Sequence, residues 1–370
     1  MANYKDPKAR AETLRALAAR AAEGALTAAP GFNIAILEAA KTIQSIADSL
    51  ERKANRDEVE PAINNLPSDS TIEEFKLSRS RQATRRGTEV YLPSWAAISQ
   101  ALPNAFLRSA LFGSGRSVQS GNDDILAGDH TRLVANQEIA TFQNMRLTLS
   151  GYELCQFDRR VYSACLDYYR ERPLAPESST KDVSTTFYEL SRRIGNIYSV
   201  KLHKSLRASL LRLNFAQLRM RFNKLNLELP KLLSVSFEDG EERRDYKGSD
   251  KLYLSVTEGI AELFGPGRWA HVELPAVKYD GLKGWLVSFY ATHQHGNWTP
   301  VQTLYHLSGY VSHRRNFRQS LASALDKLKD KKTTPLSSQV KSYNFTKDES
   351  SILVVLTKWK VTSPLETLDT

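Results

Sequence analysis

A local order of short helix, turn, long helix and then strands is written twice in this chain, and that duplication constrains the fold more than any single motif. In the first copy Phe187 and Leu190 are followed by Leu206, Leu210 and Leu213; in the second, Leu304 and Leu307 are followed by Leu321, Leu325 and Leu328. Each set steps by three, then by four and three, the spacing of one helix face. Counted this way, the connecting turn is two residues shorter in the second copy. Gly195 and Gly309 fall where each short helix should stop, because glycine accepts the left-handed conformation of a helix end. Strand-like alternation then follows in both copies: Leu218, Met220 and Phe222, then Leu233, Val235 and Phe237 in the first, and a hairpin flanking Lys347 to Ser350 in the second. The pattern predicts an α+β chain with two tandem winged-helix domains, helix-turn-helix units each with a β-wing.

The remaining segments set the boundaries. Residues 1–53 are Ala-rich and predict a helical N-terminal extension; Asn33 can cap a helix whose seam is Ile36, Ala40, Ile43, Ala47 and Leu50. That seam suits a docked helix or a helix for a dimer or partner. Residues 54–100, with Pro61, Pro67 and the run Arg79, Arg81, Arg85 and Arg86, predict a polar linker. The first winged-helix domain is placed at 101–245 and the second at 246–370. Within the first, Gly113 to Asp129 predicts a flexible stretch, Met145, Leu147 and Leu149 a strand, and Ser150 to Glu153 a capping box that opens a helix. Ser184 is expected to begin the next short helix.

At 370 residues the chain can hold two to three ordinary domains. Lys and Arg total 51 against 41 Asp and Glu, a net charge of +10, and residues 1–100 hold only 14 and 13 of these. The excess lies in the part that carries both copies, which selects an anionic partner for that surface. No run of about 18 apolar residues is present, and the opening Met-Ala-Asn-Tyr-Lys-Asp lacks a signal-peptide core, so a cytoplasmic protein with no membrane association is expected. Cys155 and Cys165 lie ten apart in one expected helix, too far for a bridge and too few for zinc, and read as core thiols.

A helix-turn-helix lays its second helix in the major groove, where Arg, Gln and Asn read base edges. With the second long helix striped by Phe317, Leu321, Ala324, Leu325 and Leu328, the opposite side carries Ser312, Arg315 and Gln319, the base-reading candidates. His313, Arg314 and Arg318 flank it and are expected to reach phosphates. Residues 301–335 hold seven basic and two acidic groups, with three of the basic ones in the first turns of the helix; the bland alternative is a solvated basic face. In the first copy the stripe Leu202, Leu206, Leu210 and Leu213 leaves Lys201, Lys204 and Arg207 as phosphate contacts, since lysine positions more than it discriminates. Arg219 and Arg221 occupy the polar face of the following strand, where a wing-like phosphate contact and an edge guarded by charge both fit.

Catalytic signals are weak. His293-Gln-His295 is similar to the His-hydrophobic-His metal motif of rolling-circle nickases, but its middle residue is Gln and no nearby carboxylate supplies a third ligand. There is no GxxxxGK[ST] phosphate loop, and Gly265-Pro-Gly267 reads as a turn. A non-enzymatic protein with no metal or cofactor is expected.

Four segments, LPNAFLRSALF at 102–112, LTLSGYELCQFDRRVY at 147–162 with ERPL at 171–174, LFGPGRWAHVELP at 263–275 and SHRRNFRQSLASALDKL at 312–328, together resemble the TrfA-type iteron-binding plasmid replication initiators. The resemblance implies two winged-helix domains that bind direct repeats of double-stranded DNA at an origin. It also implies opening of an adjacent AT-rich stretch, contact with the single strand, and a monomer–dimer equilibrium. The implied partners are a host initiator protein, the replicative helicase and the sliding clamp. The family's clamp segment, of the Gln-Leu-Ser-Leu-Phe type, is matched at Leu111 and Phe112 within Arg108-Ser-Ala-Leu-Phe112, with packing of the same pair in the core as the equal alternative. A transcriptional or partition repressor built on the same domains is the rival reading, and a nickase a more distant one.

Overall fold

The computed structural model describes residues 7–27, 36, 39–44, 46–48, 81–115, 132–142, 145–174, 183–222, 225–238 and 245–359. The chain divides into two compact units, Met1–Lys76 and Leu77–Thr370. In the first unit helix α1 (Pro7–Thr27) is followed by helical residues 39–44 and 46–48. The expected seam is present where described: Ala40 and Ala47 are buried, Ile36 and Ile43 half-buried. Arg15 on α1 reaches Asp48 at 2.9 Å. Asn33, Leu50 and residues 54–80, Arg79 included, lie outside the described residues.

The second unit begins with structure where a linker was expected. Strands β1 (Thr84–Arg86) and β2 (Glu89–Tyr91) pair as a hairpin, and Val90, Leu92 and Trp95 enter a hydrophobic core. Three-residue strands are too short to show a period, so only tertiary burial marks them. Next come β3 (Ser99–Pro103), α2 (Asn104–Leu107), β4 (Phe112–Gly113), β5 (Leu133–Ile139), β6 (Met145–Tyr152), β7 (Leu154–Cys155) and α3 (Gln156–Asp167). The helix expected to open at Ser150 therefore starts later. Strand β6 runs through Tyr152, and the capping box is made by Cys155 and Asp158, whose carboxylate accepts the Cys155 N–H at 2.9 Å.

The first copy follows as β8 (Val183–Thr186), α4 (Phe187–Arg193), α5 (Val200–Phe215), β9 (Gln217–Phe222), β10 (Leu225–Leu229), β11 (Ser234–Phe237) and β12 (Lys251–Ser255). After a 3-10 turn at Glu258–Leu263 come β13 (Trp269–Glu273), α6 (Leu274–Val277) and α7 (Gly281–Ala291). The second copy is β14 (Trp298–Pro300), α8 (Val301–Leu307), α9 (Arg314–Lys329), β15 (Val340–Phe345) and β16 (Ser351–Leu356). Helices α4 and α8 each have seven residues, α5 and α9 each sixteen, and both pairs start 114 positions apart, 301 against 187 and 314 against 200. Gly195 and Gly309, also 114 apart, both take positive φ, 75° and 59°. The three-stranded sheets have the same antiparallel order, β11-β12-β8 and β15-β16-β14.

The duplication is thus real, but its register is corrected. Val301, not Leu304, corresponds to Phe187, and the turns are equally long. Apolar positions on a helix recur at both three and four, so a slip of one turn reproduces the same steps and sequence spacing cannot detect it. Ser184, expected to open a helix, sits in β8, and Thr186 caps α4 by accepting the Glu189 N–H.

Two hydrophobic clusters share this unit, one drawn from Val90 to Ala270 and one from Val272 to Trp359. The change of core falls within β13 rather than at 245, because β12 closes the first copy's sheet and β13 pairs with β3. Charged contacts tie the halves together: Arg160 holds Asp280 at 2.9 Å, and buried Arg159 donates to the Val277 and Tyr279 carbonyls at 3.1 and 3.4 Å.

Candidate nucleic-acid interface

Helix α9 is held by one apolar side and displays the other. Phe317, Leu321, Ala324, Leu325 and Leu328 are buried, as the stripe predicts. The His313 ring caps the helix, its Nδ1 accepting the Arg315 N–H at 3.2 Å. Ser312, His313, Arg314, Arg315, Asn316, Arg318 and Gln319 are all exposed. The structure therefore leaves the base-reading candidates Ser312, Arg315 and Gln319 on the side of α9 opposite its buried stripe, and Arg314 exposed at the helix start on the side of that stripe. Asn316, which helical-wheel reasoning left out, joins the base-reading candidates. Gln319 also lines a shallow groove with Ala322, Ser323, Asp326, Lys327 and Lys283 of α7. Arg318 is engaged within the fold: it pairs with Glu349 in the β15–β16 turn, and its guanidinium lies 5.2 Å from the Phe345 ring centre. A phosphate would have to compete with that carboxylate.

The first copy offers a thinner version of the same surface. Lys201 is exposed and corresponds to Arg315; Lys204, half-buried, corresponds to Arg318 and lies 5.8 Å from the Tyr246 ring. Arg207 does not reach the surface. It is 5% exposed, its guanidinium 4.1 Å from the Phe237 ring centre, at the position that holds Leu321 in the other copy. The inward face of α5 is thus wider than the leucine stripe: Leu206, Leu210 and Leu213 are buried, and so are His203 and Arg207, because a long side chain can lay its stem on an aromatic ring.

His203 is buried against Phe187, with ring centres 3.6 Å apart, and hydrogen-bonds the Tyr198 hydroxyl at 3.1 Å. Burial pushes its pKa down from 6.5 to about 4. The unfolded chain binds the extra proton between those values, so stability should be full above pH 6.5 and fall as the pH drops toward 4. The slope should approach at most about 1.4 kcal/mol per pH unit for this histidine. Melting temperatures of the wild type and His203→Gln across that range test it: a parallel pH dependence in both would remove His203 as the cause.

Arg219 and Arg221 are exposed on β9, which forms with β10 the hairpin that directly follows α5. Strand β9 is interior to the sheet β10-β9-β6-β5, so the guarded-edge expectation does not describe them. Arg219 pairs with Glu228 at 3.3 Å, and Arg221 faces Arg146 across β6. By position in the shared sheet order, β11–β12 of the first copy corresponds to β15–β16 of the second. Among the described residues, the β9–β10 hairpin stands between α5 and β11 and has no counterpart between α9 and β15.

Leu111 and Phe112 are 0% and 1% exposed. Phe112 lies 6.3 and 6.5 Å from the rings of Phe106 and Tyr162, and β4 pairs with β7. Side chains without exposed surface cannot enter a partner's groove, so the core alternative holds and the clamp segment is corrected. Of the expected flexible stretch, 113–115 is described, and Ser114 N–H donates to the Ser308 carbonyl at 2.7 Å; 116–129 lies outside the described residues.

His293 does not stand free beside His295. Its Nδ1 lies 2.9 Å from the Phe289 carbonyl oxygen, and burial lowers its pKa to about 4. Among the described residues no group of three His, Cys, Asp or Glu is arranged to hold a metal. Cys155 and Cys165 are buried, with pKa values raised by burial to about 12. No described helix is long and apolar enough to cross a membrane.

No family model matches the chain, and no curated protein matches it. Among solved structures it is similar to the crystal structure of selenomethionine derivatives of domains 2 and 3 of RctB, with a TM-score of 0.40, 12% identity, and coverage of 61% of this chain and 93% of that one. It is also similar to the crystal structure of RctB domains 2-3, at TM-score 0.38 and 14% identity over 61% and 92% of the two chains. Likeness at this level fixes neither family nor activity.

Proposed function

We propose that this chain is a non-enzymatic DNA-binding protein, a plasmid replication initiator of the TrfA type. Its two winged-helix units bind direct repeats of double-stranded DNA through α5 and α9. The observation that carries the reading is the second copy's exposed face, Ser312, Arg315, Asn316 and Gln319, on a helix whose opposite side is buried, with Arg314 exposed at its start. A basic helix start places phosphate contacts beside base-reading groups, and two copies in one compact unit suit two successive grooves. Opening of a neighbouring AT-rich segment, contact with the single strand, and recruitment of host initiator, helicase and clamp in the cytoplasm follow from the resemblance. So does a monomer–dimer equilibrium. Any clamp contact would use a segment other than 108–112.

The test is selection of bound fragments from the source replicon, with footprinting at several salt concentrations. Direct repeats beside AT-rich DNA and affinity falling steeply with salt support the reading. A single inverted site at a promoter makes the protein a repressor, and metal-dependent strand cleavage makes it a nickase. Arg315→Ala should cost about 1–3 kcal/mol on the selected duplex and relax preference at one base, whereas Lys204→Ala should weaken all sequences alike. Competition binding against random duplex distinguishes the two, and equal losses for Arg315→Ala on both DNAs would move the reading face elsewhere.

A further inference from the structure

The two helix-turn-helix turns share little sequence, Gly195-Asn-Ile-Tyr-Ser199 against Gly309-Tyr-Val-Ser-His313. Two features recur at identical positions. One is the glycine, which its positive φ explains. The other is a β-branched aliphatic residue two positions after the glycine and two before the N-cap, Ile197 and Val311, and neither belongs to a hydrophobic core. Ile197 is 93% exposed and Val311 65% exposed. A single exposed aliphatic side chain is ordinary, but a β-branched one at the same point of both copies, mostly exposed and outside both cores, points to something outside the fold.

We propose that Ile197 and Val311 are specificity-determining contacts to the 5-methyl groups of thymine. This rests on the DNA-binding reading above and extends it to a second kind of base contact. Among the groups that base pairs display in the major groove, the thymine methyl is the apolar one, and apolar side chains read it. The location fits: each residue precedes the first turn of a long helix, beside Lys201 in the first copy and Arg314 and Arg315 in the second, all exposed. Lys201 and Arg314 supply phosphate affinity without discriminating sequence, while Arg315 reads a base edge beside the proposed methyl contact. A β-branched side chain is stiff at χ1, so holding it against a methyl group costs little rotamer freedom. Val311 is also braced from behind: a Cβ built on Gly115 would lie 2.7 Å from its Cγ2. In the first copy Val200, half exposed at the start of α5, widens the apolar contact.

The experiment uses the full chain and a duplex that it enriches from a random pool. Each thymine of that duplex is replaced in turn by deoxyuridine, which keeps the base pairing and removes only the methyl. At one or two positions per copy the wild type should lose about fourfold in affinity, the worth of one buried methyl group. Ile197→Ala or Val311→Ala should show the same loss on the thymine duplex and no further loss on its deoxyuridine counterpart. Both residues are exposed, so thermal melts should be unchanged. Indifference of the wild type to every substitution overturns the proposal while leaving DNA binding intact, as does alanine variants that keep the thymine preference. A change of sedimenting mass in those variants with thymine preference retained would assign the residues to self-association and likewise overturn it. If no duplex is enriched, the DNA-binding reading falls first and this inference with it.

Discussion

Replacing Leu111 and Phe112 together with alanine should unfold the second unit. Both side chains are essentially without solvent contact, Phe112 between Phe106 and Tyr162, and large-to-alanine changes at such sites cost about 2–5 kcal/mol for leucine and 3–5 for phenylalanine. Their combined cost is comparable with the whole stability of an ordinary domain, about 5–15 kcal/mol. The loss should fall below the full sum, because the two residues are chain neighbours in one hydrophobic core. Guanidinium unfolding followed by circular dichroism measures it. A double variant that kept the wild-type midpoint while losing an interaction partner would show that the pair leaves the core after all, and would restore the segment as a docking motif.

Asp158→Ala should be the most damaging single change of charge, by about 3–5 kcal/mol. Asp158 has no exposed surface and Arg212 is 2% exposed, and they meet at 2.7 Å. The same carboxylate accepts the Ser209 hydroxyl at 2.6 Å and the Cys155 N–H at 2.9 Å. It thereby starts α3 and pins that helix to α5. Alanine leaves a buried guanidinium without its counter-ion, which is the costly state; removing both charges in Asp158→Leu with Arg212→Met should recover much of the loss. Thermal melts of the three variants decide it. Equal destabilisation of the single and double variants would mean that packing, not the uncompensated charge, sets the cost.

These two sites differ in how they could be read. The Leu-Phe pair was visible as an apolar segment, yet one string of letters suits a core strand and a docking motif equally. The choice depends on Phe106, Tyr162 and strand β7, which lie near only in space. Asp158 and Arg212 lie 54 residues apart, and Asp158 looked like one more polar residue beside Arg159 and Arg160. Arg207 shows the same limit, since a wheel that sorts side chains by polarity places a cation outside, and only the Phe237 ring beneath it turns that position inward. Arg219 and Arg221 lie on a strand, as the alternation predicts, and only strand pairing shows that strand to be interior to its sheet.

What the sequence by itself determined is what local periodicity can carry. The presence of long helices at α5 and α9, the buried stripe of α9, the helix stops at Gly195 and Gly309 and the alternation in β6, β9 and β11 all follow from which neighbours three, four or two positions away are apolar. The exposed set Ser312, Arg315 and Gln319 follows as the complement of that stripe. Tertiary structure alone decided the 114-residue register of the two copies, the change of core within β13, the burial of Leu111 and Phe112, and the interior place of β9 in its sheet. The physical reason is one of range. Helix and strand patterns repeat whenever a face is apolar, so they are blind to a slip of one turn and to what lies across the interface; burial and strand pairing are settled by residues a hundred positions away.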